Sequence, residues 1–345
     1  MPDLMKLIIL PGIVSTILAF LFTPLAIRFA WKYGLIDDPK KNKHPKVIHT
    51  HPTPRGGGLA IFIAILISSL IFLPLDKNLI AILVGATIIL ITGLLDDKFN
   101  LSPYLRLFLQ FIAASIPVLS GIGITFITNP GGGIINLPFL VSSVLGIAWI
   151  VFLMNGLNFG AKGVDGQLSG VVVIASITIA ILSFRFSADI AEWPVIILAI
   201  IVGGSFLGFL PWHIYPQKIM PSFSGSNLAG FFLAILSILS TAKVGTLLVV
   251  LAVPLVDTGY VILRRIISGK SPFWGDRGHL HHRLLDRGHL TIPQVAIFYW
   301  IVTAALGIVS LNLNTGSKFY TIIGVTIFVG GLILWLTYRP KSNQS

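Results

Sequence analysis

Leu79-Ile-Ala-Ile-Leu-Val-Gly-Ala-Thr-Ile-Ile-Leu-Ile-Thr-Gly-Leu-Leu95-Asp96-Asp97 is an uncharged, mostly apolar run that stops on two adjacent carboxylates. At about 1.5 Å of rise per helical residue, such a run approaches the ~30 Å hydrocarbon core of a bilayer. No alternation of apolar and polar positions marks it as a strand. In lipid every backbone N–H and C=O needs an internal partner, so the run predicts a helix. Runs of the same kind recur along the chain at Leu7–Ala30, Leu59–Leu75, Leu105–Ile122, Leu140–Met154, Gly170–Phe184, Val195–Leu210, Leu228–Leu239, Val244–Ile262, Val295–Leu311 and Tyr320–Leu336. The expected fold is an all-α polytopic membrane protein of about eleven transmembrane helices, one integral membrane unit over residues 1–345.

Composition agrees. Apolar residues make up 55% of the 345 and charged residues 10%, with a mean hydropathy of +0.92; soluble domains run to about 45–50% and 25%. The net charge of +12 sits in the connections between runs and is not interleaved with aromatic residues, which sets nucleic acid aside as a partner. There is no cysteine, hence no disulfide or thiolate chemistry. The first run ends in Arg28, Trp31 and Lys32 without a small-residue cleavage site and reads as a first span, not a cleaved signal.

Alternating the connections between two sides gives a lopsided ledger. One side holds Lys32, Lys40, Lys41, Lys43, Lys46, Arg55, Lys98, Lys162, Lys218, Arg264, Arg265, Lys270, Arg277, Arg283, Arg287, Arg339 and Lys341; the other holds Lys6, Lys77, Arg185, Lys243 and Lys318. By the positive-inside rule the first side is cytoplasmic, with the amino terminus outside and the carboxyl terminus inside. All eight histidines fall on that side as well. A transporter would place charge along its spans, and only Asp257 meets that demand, so chemistry is expected at the inner surface.

Five stretches at that surface carry it. Asp96-Asp97 repel each other unless a cation lies beside them, and their oxygens suit Mg2+ (or Mn2+), which takes one or two carboxylates plus substrate phosphates. The pair Asp37-Asp38, in a Lys-rich connection, reads as solvated surface. Asn155-Gly-Leu-Asn158-Phe-Gly-Ala-Lys162-Gly-Val-Asp165-Gly166 offers oxygen donors, a cation and a tightly folding backbone. His49-Thr-His51-Pro-Thr-Pro54-Arg55-Gly56-Gly57-Gly58 holds Arg55 ahead of a glycine run and a helix start, a place for a diphosphate oxygen or simply a proline-stiffened connector. The glycines there, and Ser222–Asn227 before the next-but-two inner helix start, are small entries whose N–H groups suit phosphate. Asp257 lies two turns before the end of its span, as an ion-pair partner of a neighbouring helix or in a proton or metal role.

The fifth stretch, Gly269 to His289, gathers His279, His281 and His282 with Arg277, Arg283 and Arg287. Such donors and cations hold phosphate or diphosphate. A loop that merely touched anionic lipid would need only Lys and Arg, and zinc would want a second ligand pair at helical spacing.

In this order along the chain, these motifs resemble the polyprenyl-phosphate N-acetylhexosamine-1-phosphate transferase superfamily, glycosyltransferase family 4. The resemblance rests on Leu95-Asp96-Asp97 with Leu101-Ser102 and Gln110, on Pro254-x-x-Asp-Thr, and on Asp276-Arg-x-His-x-His-His-Arg-Leu. It implies transfer of a sugar 1-phosphate from a UDP-sugar to a polyprenyl phosphate at the cytoplasmic membrane, with release of UMP and Mg2+ as cofactor; a homodimer is a candidate assembly that the sequence leaves open. Asp96 and Asp97 would be catalytic, and Asp97 and Asn158 metal ligands. Arg55, Lys162, Asp165, His213, Arg277, His279, His281 and His282 would contact substrate. Two departures stand out. An ungapped match of Ile219–Ser226 to the family's Met-Gly-Asp-x-Gly-Ser run puts Phe223 at a metal-binding aspartate, and the Asn155–Gly166 loop is one carboxylate short of the family pattern. His213 also stands where asparagine is usual. Lys162 or His213 in place of metal charge, or a silent homologue, would account for these changes.

Overall fold

The computed structural model of the chain describes residues 8–40, 48–128, 133–186, 193–240, 243–271 and 277–338. Lys6, Lys41, Lys43, Lys46, Asp276, Arg339 and Lys341, used in the charge ledger and the histidine motif, lie outside the described residues.

Every expected span falls on a helix. In order these are α1 (Leu10–Tyr33), α2 (Gly58–Phe72), α3 (Lys77–Phe99), α4 (Pro103–Leu119), α5 (Phe139–Gly160), α6 (Gln167–Phe186), α7 (Trp193–His213), α8 (Ser222–Leu239), α9 (Lys243–Val250), α10 (Ala252–Ile267), α11 (Leu280–Asp286), α12 (Ile292–Ser310) and α13 (Thr315–Tyr338). Among the described residues eight helices, namely α1, α3, α5, α6, α7, α8, α12 and α13, are long and apolar enough to cross a membrane. The protein is therefore multi-pass. Helices α2 and α4 are apolar but shorter, at 15 and 17 residues.

The run expected as one span over Val244–Ile262 is two helices, α9 and α10, bent by 81° at Leu251. Pro254 supplies the reason. In one continuous helix it would remove the hydrogen bond to the Val250 carbonyl, whereas in the first turn of a new helix its missing N–H costs little. Two small ribbons also depart from an all-helical expectation. β1 (Ile36–Asp37) pairs antiparallel with β2 (Thr53–Pro54), and β3 (Phe126–Thr128) with β4 (Ile134–Asn136). Both sit in connections, where the backbone satisfies its polar groups by pairing locally.

Helix α8 is the centre of the bundle. It packs against α2, α3, α5, α6, α7 and α9, and every side chain from Ser222 to Ser237 is buried. Small residues permit this, because helices in lipid associate by close backbone approach. A Cβ added at Gly93 on α3 would lie 2.3 Å from Ser224 Cα, and one at Gly230 2.4 Å from Met154 Cα on α5. Polar links cross the same contacts. Gln110 on α4 donates to Asn227 on α8 and accepts from Asn155 on α5, and Trp149 Nε1 donates to Ser237 at 2.9 Å. The ends of α3, α5 and α7 and the starts of α4, α6 and α8 consequently meet at one end of the bundle.

Gly93→Ala should cost about 1–3 kcal/mol, the usual range for overpacking, and lower the melting temperature of the detergent-purified protein. Gly331→Ala, where a Cβ meets nothing within 4 Å, should leave it unchanged; equal melting of the two variants would contradict the α3–α8 contact.

Candidate functional site

At that end of the bundle lies a cavity of about 590 Å³. Its walls include Arg55, Asp96, Asn158, Lys162, Asp165, His213, His279, His281 and His282, so nine of the residues singled out from sequence are brought together.

Asp97 is not on the wall but behind it. Its side chain has no exposure, and it forms an ion pair with Arg55 at 3.2 Å. The Phe223 N–H donates to the same carboxylate at 3.3 Å and Ser224 Oγ at 3.2 Å. The amino terminus of α8 thus binds an anion, but the anion is the carboxyl end of α3. Two carboxylates at a helix C-terminus oppose the dipole, and these contacts offset that cost. Asp96, which does face the cavity, takes Arg106 at 3.4 Å.

Arg106 is a site residue that the sequence reading misses. A signal for it exists: Ser102 caps α4 by accepting from the Leu105 N–H at 3.2 Å and Pro103 opens the helix, as expected, which puts the one cation of α4 on its first turn beside the paired acids. Its guanidinium also lies over the Phe223 ring at 5.0 Å from the centroid.

The last turn of α5 reaches α8 through Asn158, whose Oδ1 accepts from Lys162 Nζ at 2.7 Å and from Ser226 Oγ at 2.8 Å. Gly163 is required here by space: a Cβ would lie 2.2 Å from the His281 ring, so the asparagine connection packs directly under α11. His213 is 2% exposed and shares a hydrogen bond with Ser169 Oγ through Nδ1 at 2.8 Å. Asp165, in the connection before α6, accepts from the Gln217 N–H at 3.1 Å. Burial pushes its carboxyl above the ordinary 3.8, against the opposing pull of the Gln217 N–H and of His49.

Asp257 is hydrogen-bonded to the neighbouring segment that begins α11. The bend before α10 carries it to the start of α11, where it takes His279 Nδ1 at 2.9 Å and the Leu280 N–H at 2.7 Å. The His279 and His281 rings stack at 5.4 Å and 6°, so a fully buried carboxylate aligns the imidazole row.

Other expectations are corrected. Arg277 is not part of the cavity wall: it pairs with Asp286 at 2.7 Å and lines a separate basic cavity with Arg264, Arg265, Lys270, Arg283 and Arg287. Within the Gly56–Gly58 run the Gly57 N–H is taken up inside the protein. Gly57 N donates to Met220 O at 2.9 Å, and Cβ atoms at Gly57 and Gly58 would meet Phe209 at 2.5 Å and Gly225 N at 2.6 Å, so these glycines serve close packing. Asp37, expected on solvated surface, lines the cavity, held there by β1–β2 pairing.

The expected Mg2+ or Mn2+ ligands do not fit a resident divalent ion. Asn158 Oδ1 already has two donors, and Asp97 is buried with three. Phe223 offers a ring. Among the described residues no three His, Asp or Glu side chains form a group that could hold a metal ion.

A second cavity of about 350 Å³ adjoins the first, sharing Pro103, Arg106, Asn158, Phe159 and Phe223 with it. The rest of its lining is mostly apolar, including Leu107, Phe111, Val151, Phe152 and Ile262. Phe111 and Phe152 are exposed on the outer surface of the bundle, so this groove opens toward lipid.

Comparison with known proteins gives a match of residues 79–241 to glycosyl transferase family 4. The chain is 32% identical, over 85% of its length and 82% of the relative's, to a probable undecaprenyl-phosphate N-acetylglucosaminyl 1-phosphate transferase of Bacillus subtilis. It is 30% identical to decaprenyl-phosphate N-acetylglucosaminephosphotransferase of Mycobacterium leprae, over 97% of this chain and 91% of that one. A further relative, undecaprenyl-phosphate alpha-N-acetylglucosaminyl 1-phosphate transferase of Haemophilus influenzae, is 30% identical over 88% and 85%.

The raised Asp165 carboxyl gives a pH test. Its protonated form is favoured more in the folded than in the unfolded chain, so the stability cost of the charge is absent below the ordinary range and present above the raised one. Asp165→Asn keeps the acceptor for Gln217; its melting temperature minus that of the wild type should grow as pH rises from about 4 to 7. A flat difference would remove the shift.

Proposed function

The chain belongs to glycosyl transferase family 4, and from that premise we propose that it transfers N-acetylglucosamine 1-phosphate from its UDP derivative to a polyprenyl phosphate at the cytoplasmic face of the cell membrane, releasing UMP. The observation that carries this reading is the shared wall of the two cavities. A polar chamber of diphosphate-binding character meets an apolar, lipid-facing groove at Arg106, Asn158 and Phe223. A water-soluble sugar nucleotide and a membrane-embedded prenyl chain need that junction, and the names of the relatives supply the chemistry.

In this reading the prenyl chain lies along Leu107, Phe111 and Phe152, with its phosphate at the shared wall beneath Arg106. The sugar nucleotide enters the polar chamber, its diphosphate between Lys162 and the imidazole row of His279, His281 and His282, and its nucleoside toward Asp165. A lipid phosphate oxygen attacks the phosphorus that carries the sugar. One P–O bond forms there, the P–O bond to the bridging oxygen breaks, and UMP leaves with that electron pair. Asp96 takes the remaining proton when the lipid phosphate arrives as its monoanion, and it orients Arg106. Asp97 orients Arg55 from behind the wall and holds α3 on α8. Phosphoryl transfer asks mostly for such positioning and charge neutralisation.

The topology belongs to the same proposal. Counting α2, α4 and the bent α9–α10 pair with the long helices gives eleven crossings, an outer amino terminus and an inner carboxyl terminus, with the whole chain as one integral unit. The site residues then face the compartment that holds nucleotide sugars.

Membranes carrying the wild type should convert radiolabelled UDP-N-acetylglucosamine and polyprenyl phosphate into labelled lipid. Asp96→Asn should reduce this at least 100-fold, about 2.7 kcal/mol of barrier, with no change in melting temperature beyond a few degrees. No labelled lipid from any UDP-hexosamine, with the protein folded, would defeat the proposal.

A further inference from the structure

The metal ligands implied by resemblance and the oxygens in this chain disagree, and the disagreement has a pattern. The ligands that the resemblance implies, Asp97 and Asn158, and the neighbouring Asp96 each have a cation of the protein beside them. Arg55 sits on Asp97 at 3.2 Å, Arg106 on Asp96 at 3.4 Å, and Lys162 on Asn158 at 2.7 Å. Where a third carboxylate is expected, the Phe223 ring lies under the guanidinium of Arg106, 5.0 Å from the centroid. An aromatic face attracts a cation without neutralising it.

Charge balance points the same way. Against the pattern that it resembles, the chain lacks two carboxylates, one at Phe223 and one in the Asn155–Gly166 connection. Removing two anions makes the site two charges more positive, which is the charge of one Mg2+. The remaining cations can carry that charge to a ligand. A guanidinium has five donors in a planar fork that matches phosphate oxygens, so Arg55 and Arg106 keep donors for a ligand after binding their carboxylates. Both are partly open to the cavity, at 21% and 26% side-chain exposure.

We propose that in this chain Arg55, Arg106 and Lys162 take over the electrostatic work of a divalent ion, so that a UDP-type diphosphate binds and reacts without one. Fixed side-chain cations and metal ions stabilise a transferring phosphoryl group by the same physics, positive charge placed in advance against its oxygens. The difference is that side chains are not removed by a chelator. This inference rests on the reading of the cavity as a nucleotide-sugar site.

The test is calorimetric titration of the detergent-purified full chain with UDP, once in EDTA and once in MgCl2. The two affinities should agree within threefold. Lys162→Met and Arg106→Met should each weaken binding in EDTA at least tenfold while the proteins melt cooperatively. A tenfold or greater loss of wild-type affinity on chelation, no UDP binding in either buffer, or variants that bind like the wild type would each overturn the inference. Labelled transfer run in the same two buffers separates the claims. Product in both supports the inference, and product only with Mg2+ overturns it and leaves the transferase reading standing. Product in neither defeats the transferase reading itself.

Discussion

The buried carboxylate of Asp97 is the constraint on which the arrangement depends. It ends one helix, accepts from the Phe223 N–H and the Ser224 hydroxyl at the start of another, and neutralises an arginine that arrives from a third segment. Breaking such a pair by removing one partner costs about 3–5 kcal/mol, because the remaining charge is left in a low-dielectric interior. Here the loss would be wider. The close contact of Gly93 with Ser224 and the paired ends of α3 and α8 fix where Asp96 faces, and Asp96 in turn fixes Arg106. A single desolvated anion therefore sets the floor of the cavity and one of the cations on its wall.

A second buried carboxylate does for the imidazole row what Asp97 does for the floor. Asp257 is fully buried, yet it is not stranded among apolar neighbours, since the 81° bend at Leu251 brings it to the start of α11. Both acids hold a functional group in place from outside the cavity. The wall itself combines cations, imidazoles and amides with the carboxylates of Asp37, Asp96 and Asp165, and its cations and imidazoles are donors suited to a phosphate-rich ligand. The apolar groove beside it then needs no charge of its own, because the junction at Arg106 supplies it.

Much of the site is legible in the sequence. Asp96, Asn158, Lys162, Asp165, His213 and the three histidines line one cavity as expected, because residues that are polar at the ends of apolar helices have only the interface to occupy. Arg106 is hidden from such a reading because it lies within an apolar run and looks like part of a span. Arg277 looks like a site cation by its neighbours in sequence, but its charge is spent on Asp286 nine residues along the same segment. The glycines at 56–58 resemble a phosphate loop because glycine permits both close ligand approach and close helix packing. Only their neighbours, Phe209 and Gly225, distinguish the two.

What the sequence determined by itself was that its apolar runs are helices and that polar groups gather at their ends, although not the break of Val244–Ile262 into α9 and α10 or the short α11. Lipid forces those outcomes locally, since a long apolar segment has no other way to satisfy its backbone. The tertiary structure decided which oxygens face inward and which face the ligand. Asp96 and Asp97 are neighbours of identical chemistry, and nothing local separates a wall residue from a buried strut. Their roles diverge because Asp97 meets Arg55 and the start of α8 while Asp96 meets Arg106, and the contact with α8 joins residues more than a hundred apart in the chain.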